Sequence, residues 1–543
     1  MSSRVISVNT LLTLLMLLSS VARAERAFAE TEGVIPLLQE AEADIKEWKI
    51  SEASEKADRA LELAGEGEEK HDAYYLKAVV EFYKGNYGEA QKYAEKTLNA
   101  VQSGEKKEED GFMDFIKHVA QKKPDFKEVK SEHFTIRYAH PKDYIIAEYG
   151  KEVLEKSRYE IGLDLEEYPD DPVIVEIYPD LESFTIASTL PPENVEKTGV
   201  VGICKFNRVM ILSPRVLPRG YTWSDTLAHE YTHYLIFLKS ENTVPVWLHE
   251  GIAKFEETRW REKKRNVFSP FYETILADAL AKDDLVPIEK MHPSLALLDS
   301  AREAQLAFAQ AATSISYIVD RWGKEGLVGL LEAMKAEDDY KAALTDVTGL
   351  DFDTYYRSWK NYLKGKHLTE KIPGMKVKGI RISNKDGEPG DGSEDLVDID
   401  NGKARGHARL GDLLKTRGRL RSASYEYEKA LGFDPGSPLI SARLASALNG
   451  SGETDRALGI LDPLIEIYPE NMDIYLVLGR IYLEKENMQK AEESYKTAIS
   501  INPFDPEIHA ALVSIYEKSG RKDEAERERK ILNILSQKEE DHE

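Results

Sequence analysis

The residues with the clearest chemical potential are His229, Glu230 and His233, which form an H-E-x-x-H motif. Two histidines four positions apart project from the same face of a helix, because one helical turn takes about 3.6 residues. Their imidazole nitrogens can then bind one Zn2+ at about 2.0–2.1 Å. Glu230 lies beside both histidines, where its carboxylate can accept a proton from a water that the metal activates. The motif therefore predicts a zinc-dependent hydrolytic site.

A catalytic zinc needs a third protein ligand, and Glu250 is the leading candidate. It follows His233 by 17 positions, which is enough for a tight loop and a return of the chain to the metal. His249 is an alternative, although it would project about 100° away from Glu250 on a helix. Glu256 and Glu257 are further alternatives, more than a helical turn downstream.

The elements that must position these side chains are predicted to be two helices. No Pro or Gly interrupts residues 224–237, and Ser224 or Asp225 can cap the start of this first helix. A second helix is predicted to open at Pro245 and to run to about Glu262, so it carries the candidate third ligand. The apolar face of the first helix comprises Leu227, Tyr231, Tyr234 and Leu235.

Together the two segments resemble a known family. H-E-x-x-H followed by P-x-W-L-x-E-G-x-A at residues 245–253 is similar to the peptidase-MA-like metallopeptidases of the gluzincin group, and the resemblance covers about residues 130–368. It implies an α+β zincin-like domain, with a small mixed sheet followed by helices. It implies one Zn2+ per chain, ligated by His229, His233 and Glu250 with one position open for water, and it makes Glu230 the general base.

The same resemblance suggests further roles. In gluzincins an edge strand above the zinc aligns an extended peptide, whereas the alternative here is an ordinary hairpin with glycine turns. Tyr317, in a helix predicted from Ser314 to Trp322, could stabilise the transition state through its hydroxyl, but the sequence favours aromatic core packing for this residue. Lys254 departs from the thermolysin-like pattern, which places an acid there to orient a histidine. The candidate substrate strand contains Gly199, Val200, Val201 and Gly202.

Short alternating or apolar segments predict strands at residues 134–138, 173–178, 199–205 and 208–212. The last two are close enough to pair as a hairpin. Only helical patterns follow them, up to about residue 368. Strands followed by a run of helices favour an α+β domain.

A 34-residue period runs through the C-terminal region, where Pro435, Pro469 and Pro503 recur at that interval. The pattern resembles the tetratricopeptide repeat, in which small residues let the two helices of each unit approach closely. Residues 30–103 contain a similar unit around Gly85 to Ala90. The resemblance implies helix-pair regions on both sides of the α+β domain, with surfaces that bind a protein partner. The small residues in register are Ala423, Ala457, Ala491 and Ala525.

Composition excludes several other functions. The 543 residues carry 97 acidic and 73 basic side chains, and the formal charge of −24 disfavours nucleic acid as a general partner. Cys204 is the one cysteine, so an intrachain disulfide and a cysteine-ligated zinc cluster are both excluded.

The termini and the linker complete the predicted organisation. Arg4, a Leu-rich run and the small-x-small sequence ending at Ala24 predict a signal peptide over residues 1–24. Residues 371–403 contain a stretch rich in Gly, Asp and Asn that predicts a flexible linker. The remaining predicted divisions are a tetratricopeptide-like region at 25–105, a metallopeptidase domain at 125–370 and a repeat array at 404–535.

These features predict an exported zinc metallopeptidase of the bacterial periplasm, or a secreted one, without a transmembrane segment once the signal is removed. Its repeats would recruit a protein substrate or partner. The alternative is a cell-envelope tetratricopeptide scaffold whose metallopeptidase domain is weakly active or inactive.

Overall fold

The structure is a computed structural model. It describes residues 33–100, 108–375 and 399–537, apart from residues 264, 266, 293, 296–297 and 337–338, and also residues 377 and 396. The predicted signal peptide and most of the predicted linker therefore lie outside the described residues. Among the described helices, none combines the length and the apolar character that crossing a bilayer requires.

The chain forms two compact units. Within the described ranges, one contains the residues up to 81 and those from 89 to 113, and the other contains residues 82–88 and those from 114 onward. Helices dominate the N-terminal part, as the tetratricopeptide-like pattern predicts. Small side chains such as Ala53, Ala57 and Ala60 are fully buried there. The helices are α1 (Val34–Lys46), α2 (Ile50–Leu63), α3 (Glu68–Tyr83), α4 (Tyr87–Ala100) and α5 (Glu108–Lys122).

A five-stranded mixed sheet lies at the centre of the second unit, in the order β1-β2-β3-β5-β4. Strands β2, β3 and β5 are parallel, whereas β1 and β4 pair antiparallel with their neighbours. β4 and β5 form the predicted hairpin, and its two turn residues, Phe206 and Asn207, have φ of 56° and 58°. The strands are β1 (Lys127–Lys130), β2 (Phe134–Tyr138), β3 (Val173–Tyr178), β4 (Gly202–Lys205) and β5 (Arg208–Leu212).

Three strands match the prediction, and two differ from it. β1 was not predicted, because its sequence K-E-V-K has a single apolar residue and three of its four residues are exposed. β4 begins at Gly202 rather than at Gly199. Gly199 instead ends a short helix with a left-handed φ of 76°, which a glycine adopts without steric cost.

Helices surround the sheet and follow it, as predicted for an α+β domain. α12 bends at Gly323, whose φ of 75° is not helical. The helices of this region are α6 (Tyr144–Leu165), α7 (Leu181–Ser188), α8 (Pro192–Thr198), α9 (Trp223–Ser240), α10 (Val246–Glu256), α11 (Pro270–Lys282), α12 (Ala301–Ala336), α13 (Tyr340–Thr348) and α14 (Phe352–Gly365).

Eight helices in antiparallel pairs account for the 34-residue period. Tyr427 packs on Gly411 and Tyr495 packs on Gly479, so closely that a Cβ on either glycine would lie 2.5–2.6 Å from the ring. Close approach of the paired helices therefore depends on these small residues. The helices are α15 (Gly402–Thr416), α16 (Leu420–Phe433), α17 (Pro438–Gly450), α18 (Thr454–Ile467), α19 (Met472–Glu484), α20 (Met488–Ile501), α21 (Pro506–Lys518) and α22 (Lys522–Ser536).

The repeat array packs directly on the α+β region within the second unit. The Trp223 indole N–H at the start of α9 donates a hydrogen bond to the Ile499 carbonyl oxygen at 2.7 Å. The Tyr221 backbone N–H donates to the Ile501 carbonyl oxygen at 3.1 Å. The end of helix α20 is thus attached to the first turn of the helix that carries H-E-x-x-H.

Candidate metal centre

Helix α9 holds the two motif histidines beside the sheet. Tyr231, on its buried face, packs its ring on Phe134 of β2 with centroids 5.2 Å apart. Tyr234 donates a hydrogen bond to the Asn207 side chain in the β4–β5 turn at 2.6 Å. These contacts fix the rotation of α9, and the side chains of His229 and His233 remain 13% and 12% exposed on another face.

Helix α10 brings Glu250 to the same place. It begins directly after Pro245 and packs on α12, where Gly251 faces the Ala311 backbone. A Cβ on Gly251 would lie 2.8 Å from the Ala311 carbonyl oxygen, a distance that real Cβ atoms do not reach. The glycine after Glu250 therefore lets α10 approach α12 closely enough to aim the glutamate at the histidines.

Three potential ligand atoms converge between these helices. The Nε2 atoms of His229 and His233 are 3.2 Å apart, and each lies 3.4 Å from Glu250 Oε2. A tetrahedral zinc with bonds of about 2.0–2.1 Å requires its ligands to be about 3.3–3.4 Å apart. The three atoms therefore fit a single zinc ion and leave the fourth tetrahedral position free.

The candidate ligands shift one another's pKa values, so that Glu250 is ionised, whereas His229 must release a proton to bind a metal. Burial raises the pKa of Glu250, but His233 and His229 outweigh that effect and hold the pKa well below its usual range. Burial lowers the pKa of His229, yet its contacts with Glu250 and Glu257 outweigh burial and raise the pKa to about 10. Glu250 is accordingly an ionised carboxylate, which is the form that binds a cation.

Glu230 lies behind the ligand atoms and against the sheet edge. Its side chain is nearly buried, at 6% exposure, and it packs on Gly202 of β4. Burial raises the pKa of Glu230, while His233 and His229 partly offset the increase. A carboxylate with a raised pKa is suited to accept a proton and return it, because general acid–base catalysis is most efficient when the pKa of the group lies near the operating pH.

Each motif histidine has a second contact at its Nδ1 atom. Glu257 Oε2 lies 3.4 Å from His229 Nδ1, and Lys254 Nζ lies 2.8 Å from the same carboxylate oxygen. His249 Nδ1 lies 2.5 Å from His233 Nδ1. Lys254 occupies the position of the acid in the thermolysin-like pattern, but Glu257 supplies a carboxylate beside His229, and Lys254 contacts that carboxylate.

The alternative third ligands lie elsewhere. Glu256 is fully buried and pairs with Arg265 at 2.9 Å, so it does not join the donor atoms. Glu257 and His249 contact the Nδ1 side of the histidines rather than the Nε2 side. Among the described residues, the group whose ligand atoms could hold one ion consists of His229, His233 and Glu250.

The candidate substrate strand is only partly a strand. Gly202 begins β4, which is the edge strand beside α9, and Gly202 touches the Glu230 side chain. The Val201 carbonyl oxygen accepts a hydrogen bond from Leu212 at 2.8 Å, and Gly199 and Val200 lie before the strand. Gly202 is therefore the member of this set that the fold brings to the site.

Tyr317 lies in an aromatic cluster. Its ring centroid is 5.2 Å from that of Tyr362, 5.5 Å from that of Trp322 and 5.7 Å from that of Tyr355. These contacts agree with aromatic core packing, the interpretation that the sequence favours. Its role as a transition-state stabiliser stays a prediction.

Comparisons with known proteins match two parts of the chain. Residues 161–365 match the family model of the Peptidase MA superfamily, and residues 448–511 match that of the tetratricopeptide repeat. The chain is 31% identical over 127 residues to Cellulose synthase operon protein C of Pseudomonas fluorescens, covering 23% of this chain and 10% of the relative. It is 28% identical over 119 residues to General transcriptional corepressor trfA of Dictyostelium discoideum, covering 22% of this chain and 9% of the relative.

These matches span about a tenth of the length of the curated relatives. Among solved structures, yeast LTA4 hydrolase in complex with bestatin is 12% identical and covers 76% of this chain and 67% of its own, with a TM-score of 0.29. That score is too low to establish a common fold. The chain thus contains a Peptidase MA superfamily domain and tetratricopeptide repeats, and the two resemblances predicted from the sequence are confirmed.

Proposed function

We propose that the chain is an exported zinc metallopeptidase with a gluzincin-type site, and that its repeats recruit a protein substrate or partner. The observation that carries this proposal is the spacing of 3.2–3.4 Å among His229 Nε2, His233 Nε2 and Glu250 Oε2. That spacing corresponds to the edges of a zinc tetrahedron. The Peptidase MA superfamily match over the same residues supports it.

In this proposal His229, His233 and Glu250 hold the zinc. When bound, the ion supplies Lewis-acid polarisation of the scissile carbonyl and lowers the pKa of the attacking water towards about 7. Glu230 accepts the proton of that water on its carboxylate, and later donates it to the nitrogen of the leaving amine. Because burial raises the pKa of Glu230, the same carboxylate can accept the proton from water and donate it to the leaving amine.

The edge of the sheet completes the site. Among the described strands, β4 pairs with β5 alone, so its other edge can align an extended peptide by backbone hydrogen bonds. Gly202 leaves room for the general base between this edge and helix α9. The substrate class is therefore an extended peptide segment of a protein.

The test is zinc stoichiometry combined with cleavage of a peptide library by the purified mature protein. We expect one zinc per chain in wild type, and loss of zinc in His233→Ala and Glu250→Ala. Glu230→Gln should keep zinc and lose cleavage, because it removes the base but no ligand. A well-folded wild-type protein that takes up no zinc would refute the proposed enzymatic function.

A scaffold function is the second candidate. It is favoured by the direct attachment of the repeats to helix α9 through Trp223 and Ile499. Zinc binding without any cleavage by wild type, across the whole peptide library, would support the scaffold. In that case the zinc site stabilises the domain and the repeats carry the function.

A further inference from the structure

His249 and Glu250 contact the two nitrogens of one histidine ring. Glu250 Oε2 lies 3.4 Å from His233 Nε2, and His249 Nδ1 lies 2.5 Å from His233 Nδ1. The rings of His249 and His233 have centroids 4.7 Å apart and planes inclined at 35°. Two consecutive residues of α10 therefore reach opposite sides of the His233 imidazole.

A separation of 2.5 Å between two ring nitrogens requires a proton between them, since two lone pairs at that distance would repel. One nitrogen must be the donor and the other the acceptor. A histidine that binds a metal through Nε2 carries its remaining proton on Nδ1. His233 Nδ1 is then the donor, and the Nδ1 lone pair of His249 is the acceptor.

The contact with His249 differs from the one at the other ligand. His229 Nδ1 faces the Glu257 carboxylate, whereas the described contacts of His233 Nδ1 are with His249. Without that acceptor the His233 ring could turn or move its proton to Nε2, which would remove the lone pair that a metal needs. The acceptor thus determines which nitrogen faces Glu250.

We propose that His249 is a positioning residue that accepts the His233 Nδ1 proton and so fixes the tautomer and ring orientation presenting Nε2 to zinc. The proposal rests on the proposed function and deepens it. It explains why an imidazole lies directly before the third ligand, with its helical offset of about 100° from Glu250.

The test compares His249→Leu, which keeps a similar bulk without an acceptor, with His249→Gln, whose side-chain carbonyl can accept. His292→Leu is the matched control, because His292 is exposed and lies outside the metal centre. Zinc affinity is measured by competition with a chelator. The Co2+-loaded proteins are compared by visible absorption, and 15N NMR of labelled histidine reports the tautomer of His233.

We expect zinc to bind about 10–100-fold more weakly in His249→Leu, as is typical when the hydrogen-bond partner of a ligating histidine is removed. The Co2+ spectrum should change, and His249→Gln should recover most of the affinity. His292→Leu should behave as wild type.

Two results would overturn the positioning role. The first is wild-type zinc affinity and an unchanged Co2+ spectrum in His249→Leu. The second is an equal loss in His249→Leu and His249→Gln, together with a lower melting temperature of both metal-free variants, which would indicate packing alone. Failure of the wild-type protein to bind zinc would instead refute the proposed function together with this inference.

Discussion

Gly202 lies directly against Glu230. A Cβ built on Gly202 would stand 2.7 Å from Glu230 Oε1 and 2.8 Å from Glu230 Cγ. Because real Cβ atoms do not approach that closely, the glycine sets the space in which Glu230, the proposed general base, lies. The absence of a side chain at Gly202 therefore allows the edge of the sheet and the H-E-x-x-H helix to pack this closely.

Gly202→Ala should therefore displace Glu230 while leaving the zinc ligands intact. We expect kcat/KM for peptide cleavage to fall roughly 100-fold, the scale of a misplacement of about 1 Å at a reacting group. Zinc content should be unchanged by elemental analysis. Gly459→Ala is the control, since its Cβ would have open space around it. Full activity in Gly202→Ala would show that Glu230 tolerates the displacement.

Glu257→Gln should weaken zinc binding by about 10–100-fold. The substitution removes the negative charge beside His229 Nδ1 and leaves Lys254 without its carboxylate partner. Zinc affinity measured by chelator competition tests this expectation. The exposed Glu289→Gln is the control. Unchanged affinity in Glu257→Gln would mean that the 3.4 Å contact does not orient His229.

Asp143 predicts a pH-dependent stability. Burial raises the pKa of its carboxyl to about 6, more than Arg215 and Ser213 lower it, from an ordinary value of 3.8. The folded chain therefore holds this proton more tightly than the unfolded chain does. The contribution of Asp143 to stability is most favourable below pH 4 and is lost as the pH rises through 6.

The variant Asp143→Asn removes the buried charge, so the free energy of unfolding should rise by about 1–3 kcal/mol at pH 8. The same substitution should not raise the free energy of unfolding at pH 4, where the Asp143 carboxyl of the folded wild type is already protonated. Denaturant unfolding at the two pH values measures the difference. The exposed Asp299→Asn serves as the control. An equal effect of Asp143→Asn at both values would contradict the raised pKa.

Trp223→Phe should loosen the repeats from helix α9. The substitution removes the indole N–H that donates to the Ile499 carbonyl, in a place where Trp223 is 1% exposed. We expect a loss of about 1–3 kcal/mol in the free energy of unfolding. Deuterium exchange at the end of α20 should also increase. The exposed Tyr425→Phe should leave both unchanged.

The local sequence predicted the helix that carries H-E-x-x-H, because no Pro or Gly interrupts it and its two histidines are four residues apart. It also identified Glu250 as the leading candidate that the structure brings to both histidines. The role of Glu257 was not visible, since its contact with His229 depends on how α10 ends one residue earlier. The spacing of the thermolysin-like pattern places the acid that orients the histidine at position 254, which is a lysine in this chain.

Tertiary contacts supply details that no local sequence pattern contains. Aromatic packing of Tyr317 involves helices α12 and α14, which no local pattern connects. The 34-residue period predicted the repeats, because each repeat places the same small residues and tyrosines where its own two helices make contact. It carried no information on their attachment to Trp223, because that contact uses backbone carbonyl groups, which every residue has.

The attachment of Trp223 determines how the molecule can be divided for biochemical work. A fragment ending in the segment 371–403 would lack Ile499, and the buried indole of Trp223 at the start of helix α9 would be left in water. Such a fragment would expose apolar surface and tend to aggregate. Recombinant forms that continue through Ser536 keep Ile499 beside Trp223, whereas truncation studies of the repeats need to replace Trp223 at the same time.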